Sequence, residues 1–157
     1  MLHDMLRRIL RNMDLSENEI DESIYDAMLL SVDVAHALHP NKKEKMDITN
    51  KPVMGKGFCI KQACSQSYAT DAQAIAILCQ LCDEKGIPYQ RFVNRSDSRG
   101  GSTLGSIAGT LLPVKTVDIG IPILAMHSAC ELMGVRDMKA LSDCVTAFFG
   151  YLSLIHI

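Results

Sequence analysis

Apolar and polar positions recur along the chain with two alternating periods. From Asp4 to Asn12, Met5, Leu6, Ile9 and Leu10 share one face and Arg7, Arg8 and Arg11 lie elsewhere, which predicts an amphipathic helix ending near Asp14. Ser16 with Glu19 has the spacing of a capping box and predicts a second helix, SENEIDESIYDAM. Glu17, Glu19, Asp21 and Glu22 crowd its early turns, where the helix dipole favours negative charge and a solvated face is expected. MLLSVD, Met28 to Asp33, reads as a short buried strand, although so short an apolar run also admits a continued helix. Pro40 then turns His39 away from helix, and NKKEKMDITNKP is a polar connection.

GFCIKQA predicts a second strand, and Thr70 with Gln73 a capping box that opens a helix stopped at Gly86 and burying Ile75, Leu78, Cys79 and Cys82. IPYQRFVN is the next strand, SDSRGGST a loop, TLGSIAGTLL a short helix of small residues, and KTVDIGIPI a strand and turn. Ser128 with Glu131 is a further capping box, and a last helix from about Asp137 presents Leu141, Val145, Phe148 and Phe149. Strands alternating with helices predict an α/β fold with a mostly parallel or mixed central sheet flanked by helices.

Composition narrows the function classes. The 157 residues are 48% hydrophobic and 22% charged, which is globular, and a net charge of −2 offers no basic surplus for nucleic acid or an anionic membrane. No apolar run approaches the roughly 20 residues of a spanning helix, and the N-terminal order of apolar residues and arginines is wrong for a secretory signal, so the cytoplasm is expected. The six cysteines then read as buried reduced thiols rather than a disulfide framework. Cys79 and Cys82 have ligand spacing, but they sit within a helical run and lack a second pair.

The residues with chemistry gather where strands are expected to end. Asp33, His36 and His39 in SVDVAHALHPN place a carboxylate and two imidazoles near one strand end; they read either as a site or as groups satisfied by their own turn. His127, just ahead of Ser128, would lie at a helix N-terminus, where the dipole keeps an imidazole neutral for metal binding; a hydrogen-bonded core histidine is the other reading. RSDSRGGSTLG lacks a P-loop lysine and the dinucleotide fingerprint, so its glycines serve either close approach of a ligand or a turn. Ser102 has no base partner at a recognisable spacing. Lys61 and Tyr68, flanking CSQS, are ordinary surface residues on spacing alone.

SVDVAHALHPN, GFCIKQACSQSYATDA, NRSDSRGGSTLG and DIGIPILAMHS, in this order, resemble the C-terminal half of the aspartyl aminopeptidase family of zinc metallopeptidases. The likeness extends back to LHDMLRRI and forward to AFFGYL. It implies part of a catalytic domain with a mixed sheet, two zinc ions, peptide substrates and a tetrahedral homo-dodecamer. By the same resemblance Asp33 and His127 would be zinc ligands, one for each metal. His36, Lys61, Tyr68 and Gly101 would bind substrate, with Lys61 pairing with an acidic first residue. Two zinc ions about 4 Å apart would activate water and polarise the scissile carbonyl.

The family's first ligand histidine, bridging aspartate, Glu-Glu pair and inserted assembly domain all precede the segment that LHDMLRRI resembles. The general-base glutamate is thus expected upstream of Met1, which would be an internal methionine, and no catalytic residue is assigned within the chain. The resemblance therefore implies that residues 1–152 are a C-terminal fragment of the catalytic domain, inactive alone, with residues 153–157 a tail that need not be native. Other readings are a non-catalytic accessory subunit that joins full-length relatives, or a small zinc or redox module on Cys79 and Cys82.

Overall fold

The computed structural model describes residues 1–69, 71–97 and 100–155, the last four by backbone alone. Two helices, α1 (Leu2–Asn12) and α2 (Glu17–Asp26), lead into strand β1 (Met28–His36). There follow a single 3-10 turn (Lys43–Lys45), β2 (Phe58–Gln62), α3 (Ala72–Lys85), β3 (Tyr89–Val93), α4 (Leu104–Leu111), β4 (Lys115–Leu124), β5 (Leu132–Met133) and α5 (Val135–Ile155). The expected α/β class and mixed sheet are both present: the strand order is β1-β4-β2-β3, with β5 added to β4. β1 is parallel to β4 and β2 to β3, while β2 and β5 run antiparallel to β4.

β4 is the centre of the molecule. It is one continuous ten-residue strand instead of a strand and turn, and its near-unbroken apolar run reflects burial on both faces. One face carries Val117, Ile119, Ile121 and Ile123 against Leu78, Leu81 and Cys82 of α3 and Leu141, Cys144 and Phe148 of α5. The opposite face joins polar groups to a smaller apolar cluster of Ala35, Met46, Cys59, Ala63, Tyr68 and Phe92. Pairing register aligns Ser31, Asp118 and Lys61 in one row and Asp33, Gly120 and Cys59 in the next. α4 lies on this face by its backbone at Gly105, where a Cβ would come within 2.7 Å of Ser31 and 2.8 Å of the Asp118 carboxylate.

The local signals mostly act as expected. Ser16 and Glu19 form a reciprocal capping box, and Gly86 ends α3 with φ 65°. The cap of α3 is Asp71, whose carboxylate accepts from the Ala74 N–H at 2.7 Å; Thr70, expected to pair with Gln73, is outside the described residues. The Ser128–Glu131 box opens no helix. Glu131 instead accepts from the His127 N–H at 2.5 Å, and residues 125–131 form a turn ahead of β5. α5 starts at Val135, and its backbone continues through Ser153 to Ile155; His156 and Ile157 lie outside the described residues. The start of α5 is anchored by buried Asp137, which accepts from the Gly55 and Gly57 N–H groups at 2.6 and 2.7 Å.

Apolar surface remains open. On α1, Leu6 and Leu10 pack toward Ile20, Ile24 and Leu112, whereas Met5 and Ile9 of the expected apolar face are exposed. Leu104, Ile107 and Leu111 form an exposed stripe on α4. β1 pairs only with β4 among the described residues, leaving its other edge open beside half-exposed Val32. No helix among the described residues is long and apolar enough to cross a membrane.

Candidate functional site

The polar row of the sheet opens into a cavity of about 170 Å³. Its walls include Asp33, His36, Lys61, Tyr68, Gly101 and His127, so all six residues singled out by resemblance converge there. Asp33 lies inside β1 rather than at its end, because the strand runs on to His36. Its carboxylate faces Lys61 and does not cap its own turn: Lys61 Nζ donates to Asp33 Oδ2 at 3.3 Å and to the Val34 carbonyl at 3.0 Å. The burial is asymmetric, since the lysine side chain is 3% exposed and the aspartate 48%.

Lys61 and Tyr68 are buried, which corrects their reading as surface residues. The ammonium stands 4.5 Å from the centre of the Tyr68 ring, a cation–π contact in a desolvated setting. Burial pushes the Tyr68 hydroxyl above its usual range, and the neighbouring Asn94 amide opposes the shift. The His36 ring lies 6.4 Å from that of Phe92. Its pKa falls through partial burial first, then through His127 and Lys61, so the neutral imidazole is favoured at this rim. His39 follows the local reading, its Nδ1 accepting from the Asn41 N–H at 3.1 Å.

His127 has φ 68° in the turn after β4, a conformation that histidine adopts more readily than most residues. It is exposed and no helix starts beside it, so the expected dipole effect does not operate there. Gly101 is exposed at the mouth of the cavity, with open space where a Cβ would stand; Ser98 and Arg99 of the same loop are outside the described residues.

Met1 stands apart from the site. It is exposed at the N-cap of α1, its amino group 3.4 Å from the Asp4 carboxylate, and it lines neither this cavity nor the one beside it. No glutamate is among the described residues that line the cavity.

Asp118 was not legible as a site residue, although a carboxylate within the otherwise apolar VDIGIPI was a signal. Fully buried, its Oδ2 accepts from the Ala69 N–H at 2.6 Å and the Thr103 hydroxyl at 2.7 Å. Thr103 N–H donates to the Ser67 carbonyl at 3.3 Å, so the two loops that carry Tyr68 and Gly101 are fastened to each other and to β4.

Asp33 and His127 are a carboxylate and an imidazole on one cavity, donor types that suit zinc. Among the described residues no group of three or more His, Cys, Asp or Glu is placed to hold a metal, so the two fit as a share of a ligand set. Of the six cysteines, Cys64 and Cys130 are exposed and Cys79 is half-buried, whereas Cys59, Cys82 and Cys144 are buried. Cys82 is buried against Cys144, Sγ to Sγ 3.9 Å, and this hydrogen bond together with burial pushes the Cys82 thiol up. Burial, with Asp137 nearby, pushes Cys59 up to about 12; such thiols are unreactive.

Fold and sequence together define the class as a metalloprotease-type α/β domain. The chain belongs to the M18 family, described as aminopeptidase I zinc metalloprotease, whose sequence profile matches residues 1–149. A probable M18 family aminopeptidase 2 of Clostridium novyi is 47% identical over 137 residues, 87% of this chain and 32% of that protein. The chain spans about a third of the length of the curated relatives it matches. Among solved structures, the cryo-EM structure of the Ape4 and Nbr1 complex superimposes with a TM-score of 0.92 at 32% identity, covering 99% of this chain and 29% of that one. The S. cerevisiae mApe1 dodecamer gives 0.69 at 27% identity, covering 78% and 26%.

Proposed function

We propose that this chain is the C-terminal portion of the catalytic domain of a dinuclear zinc aminopeptidase that removes N-terminal residues, acidic ones in preference, from peptides. The observation that carries the reading is the convergence of Asp33, His36, Lys61, Tyr68, Gly101 and His127 on one small cavity. Asp33 and His127 each supply one zinc ligand; bound zinc supplies Lewis acidity and a water of lowered pKa. Lys61 provides the positive charge that attracts an acidic first residue, with Tyr68 and Gly101 lining its place and neutral His36 contacting the peptide. The remaining ligands and the general base would come from the two thirds of the relatives' length that this chain does not cover, and activity is expected only with that part present. The dodecamer named for the yeast relative supports a homo-oligomeric working form.

The test is a chimera in which residues 1–149 replace the matching third of the Clostridium novyi relative. It is expected to cleave an Asp-first substrate with zinc. Asp33→Asn and His127→Ala are each expected to cost more than the roughly 100-fold that loss of an outer-shell partner costs. Unchanged rate and zinc content in both variants would overturn the assignment of ligands. A Lys61→Met chimera that keeps its preference for Asp over Leu would remove the acidic specificity.

The open β1 edge and the α4 stripe of Leu104, Ile107 and Leu111 favour a second reading, a non-catalytic subunit joined to full-length relatives. Mixed oligomers with an intact enzyme support it, and a monomer that stays separate from such an enzyme removes it.

A further inference from the structure

Beside the small cavity lies a larger one of about 540 Å³, and the two share His36, Tyr68 and Gly101. The two cavities are adjacent, and the larger is called the groove below. The smaller is below the size of ordinary ligand sites, whereas the larger cavity falls within their range of about 300–1,000 Å³. Its floor is apolar, built from Met46, Phe92 and Val93, and its charged lining is entirely basic: Lys42, Lys45 and Arg95. No carboxylate is among the described residues that line it.

Two of these cations are partly engaged from outside the cavity. Arg95 is held by Asp97 and by the Glu44 carbonyl, and Lys42 lies 3.8 Å from Glu44. Glu44 and Asp97 do not line the groove; they stand behind Lys42 and Arg95, so the charged groups that face it are basic. The Asn94 amide adds a neutral polar group to the same wall.

We propose that this larger cavity binds carboxylate-bearing residues of a peptide, those that follow the first residue. The direction rests on the aminopeptidase reading, which puts the first residue in the small cavity beside Asp33 and His127. Aliphatic parts of the peptide lie on Met46 and Phe92, and its carboxylates face Lys42, Lys45 and Arg95. The groove thus selects acidic sequence downstream of the cleaved bond, separately from any selection of the first residue by Lys61.

The test uses the 157-residue chain and an N-acetylated hexapeptide with a C-terminal fluorophore and Asp or Glu at positions 2 to 5, against its Asn/Gln counterpart. The blocked amine makes binding independent of hydrolysis. The acidic peptide is expected to bind about tenfold more tightly at low ionic strength, with the advantage shrinking in 0.5 M salt as charges are screened. Replacing the exposed lysines together, Lys42→Gln with Lys45→Gln, is expected to abolish the difference; circular dichroism checks that the variant is folded. Equal affinity for the two peptides, or a preference that survives the double substitution, overturns the proposal. An oligothymidylate that competes as well as the acidic peptide overturns its peptide character. Acid discrimination here with an inactive chimera would leave the groove and remove the aminopeptidase reading; an active chimera without discrimination would do the reverse.

Discussion

Lys61 on β2 reaches past β4 to Asp33 on β1, closing a 3.3 Å ion pair between strands that are not neighbours in the sheet. The two partners differ in what happens when the other is lost. Without Lys61, half-exposed Asp33 is hydrated; without Asp33, a buried ammonium retains the Val34 carbonyl and the Tyr68 ring. Breaking a fully buried pair costs about 3–5 kcal/mol, and the exposure of Asp33 reduces that, so Asp33→Ala is expected to cost about 2 kcal/mol. Lys61→Met, which keeps the apolar stem, is expected to cost less. Urea unfolding of both variants checks the order, and a more damaging Lys61→Met would refute the asymmetry.

Gly120 makes that reach possible. A Cβ at this position would stand 2.7 Å from the Val34 carbonyl carbon and 2.9 Å from the oxygen that accepts from Lys61. The obstruction is backbone and cannot rotate away. Gly120→Ala is therefore expected to destabilise by about 1–3 kcal/mol, the usual range for overpacking. It should also spread β1 from β4, which amide exchange along Leu30–Ala35 would detect as lost protection; an unchanged exchange pattern with unchanged stability would count against the close approach.

Asp118 fixes the walls of the cavity from below. Asp118→Ala leaves the Ala69 N–H and the Thr103 hydroxyl without their acceptor, at about 1–3 kcal/mol for each buried group left unsatisfied. Asp118→Asn keeps one acceptor oxygen and is expected to lose about half as much. The local readout is the Tyr68 ring, whose NMR signal should broaden in Asp118→Ala as both loops loosen. A sharp, unshifted Tyr68 resonance in a destabilised variant would mean that Asp118 supports the sheet alone.

The elements were legible because each has a period and a stop: the α1 stripe, Ser16 with Glu19, Gly86 after α3, and the apolar run of β4 all act within a few residues. The misreading at Ser128 has a tertiary cause. The same Glu131 that would complete a capping box bonds the His127 N–H in a turn with two left-handed residues, Ala125 and His127. Burial of Lys61 and Tyr68 was equally hidden, because it depends on β2 lying between β4 and β3 and on a loop folding over that face. For the site, resemblance gave the six residues and the fold brought them together. Asp118 was in neither, since its partners, Ala69 and Thr103, are brought to it only by the closed loops.

α1 is attached to the rest of the chain through Leu6 and Leu10, which are only partly buried, and through a charge network with α2. Arg7 binds Glu17 and Asp21, and Arg11 Nε donates to Glu17 at 2.7 Å. The hydrogen bonds from Arg11 and Arg7 hold the Glu17 carboxyl at about 2, against an ordinary value of 4.5. A depressed carboxyl pKa means that the unfolded or undocked state takes up the proton more readily. The contribution of Glu17 to docking is therefore complete above pH 4.5 and is lost as the pH falls towards 2. Glu17 is solvent-exposed and the network is screened by salt, so the effect is local rather than global. Amide exchange is expected to show α1 losing protection between pH 5 and pH 3 while β4 keeps its own, and Glu17→Gln is expected to show the same loss already at pH 5. Equal protection of α1 at both pH values would mean that Leu6 and Leu10 hold the helix without help from the charges.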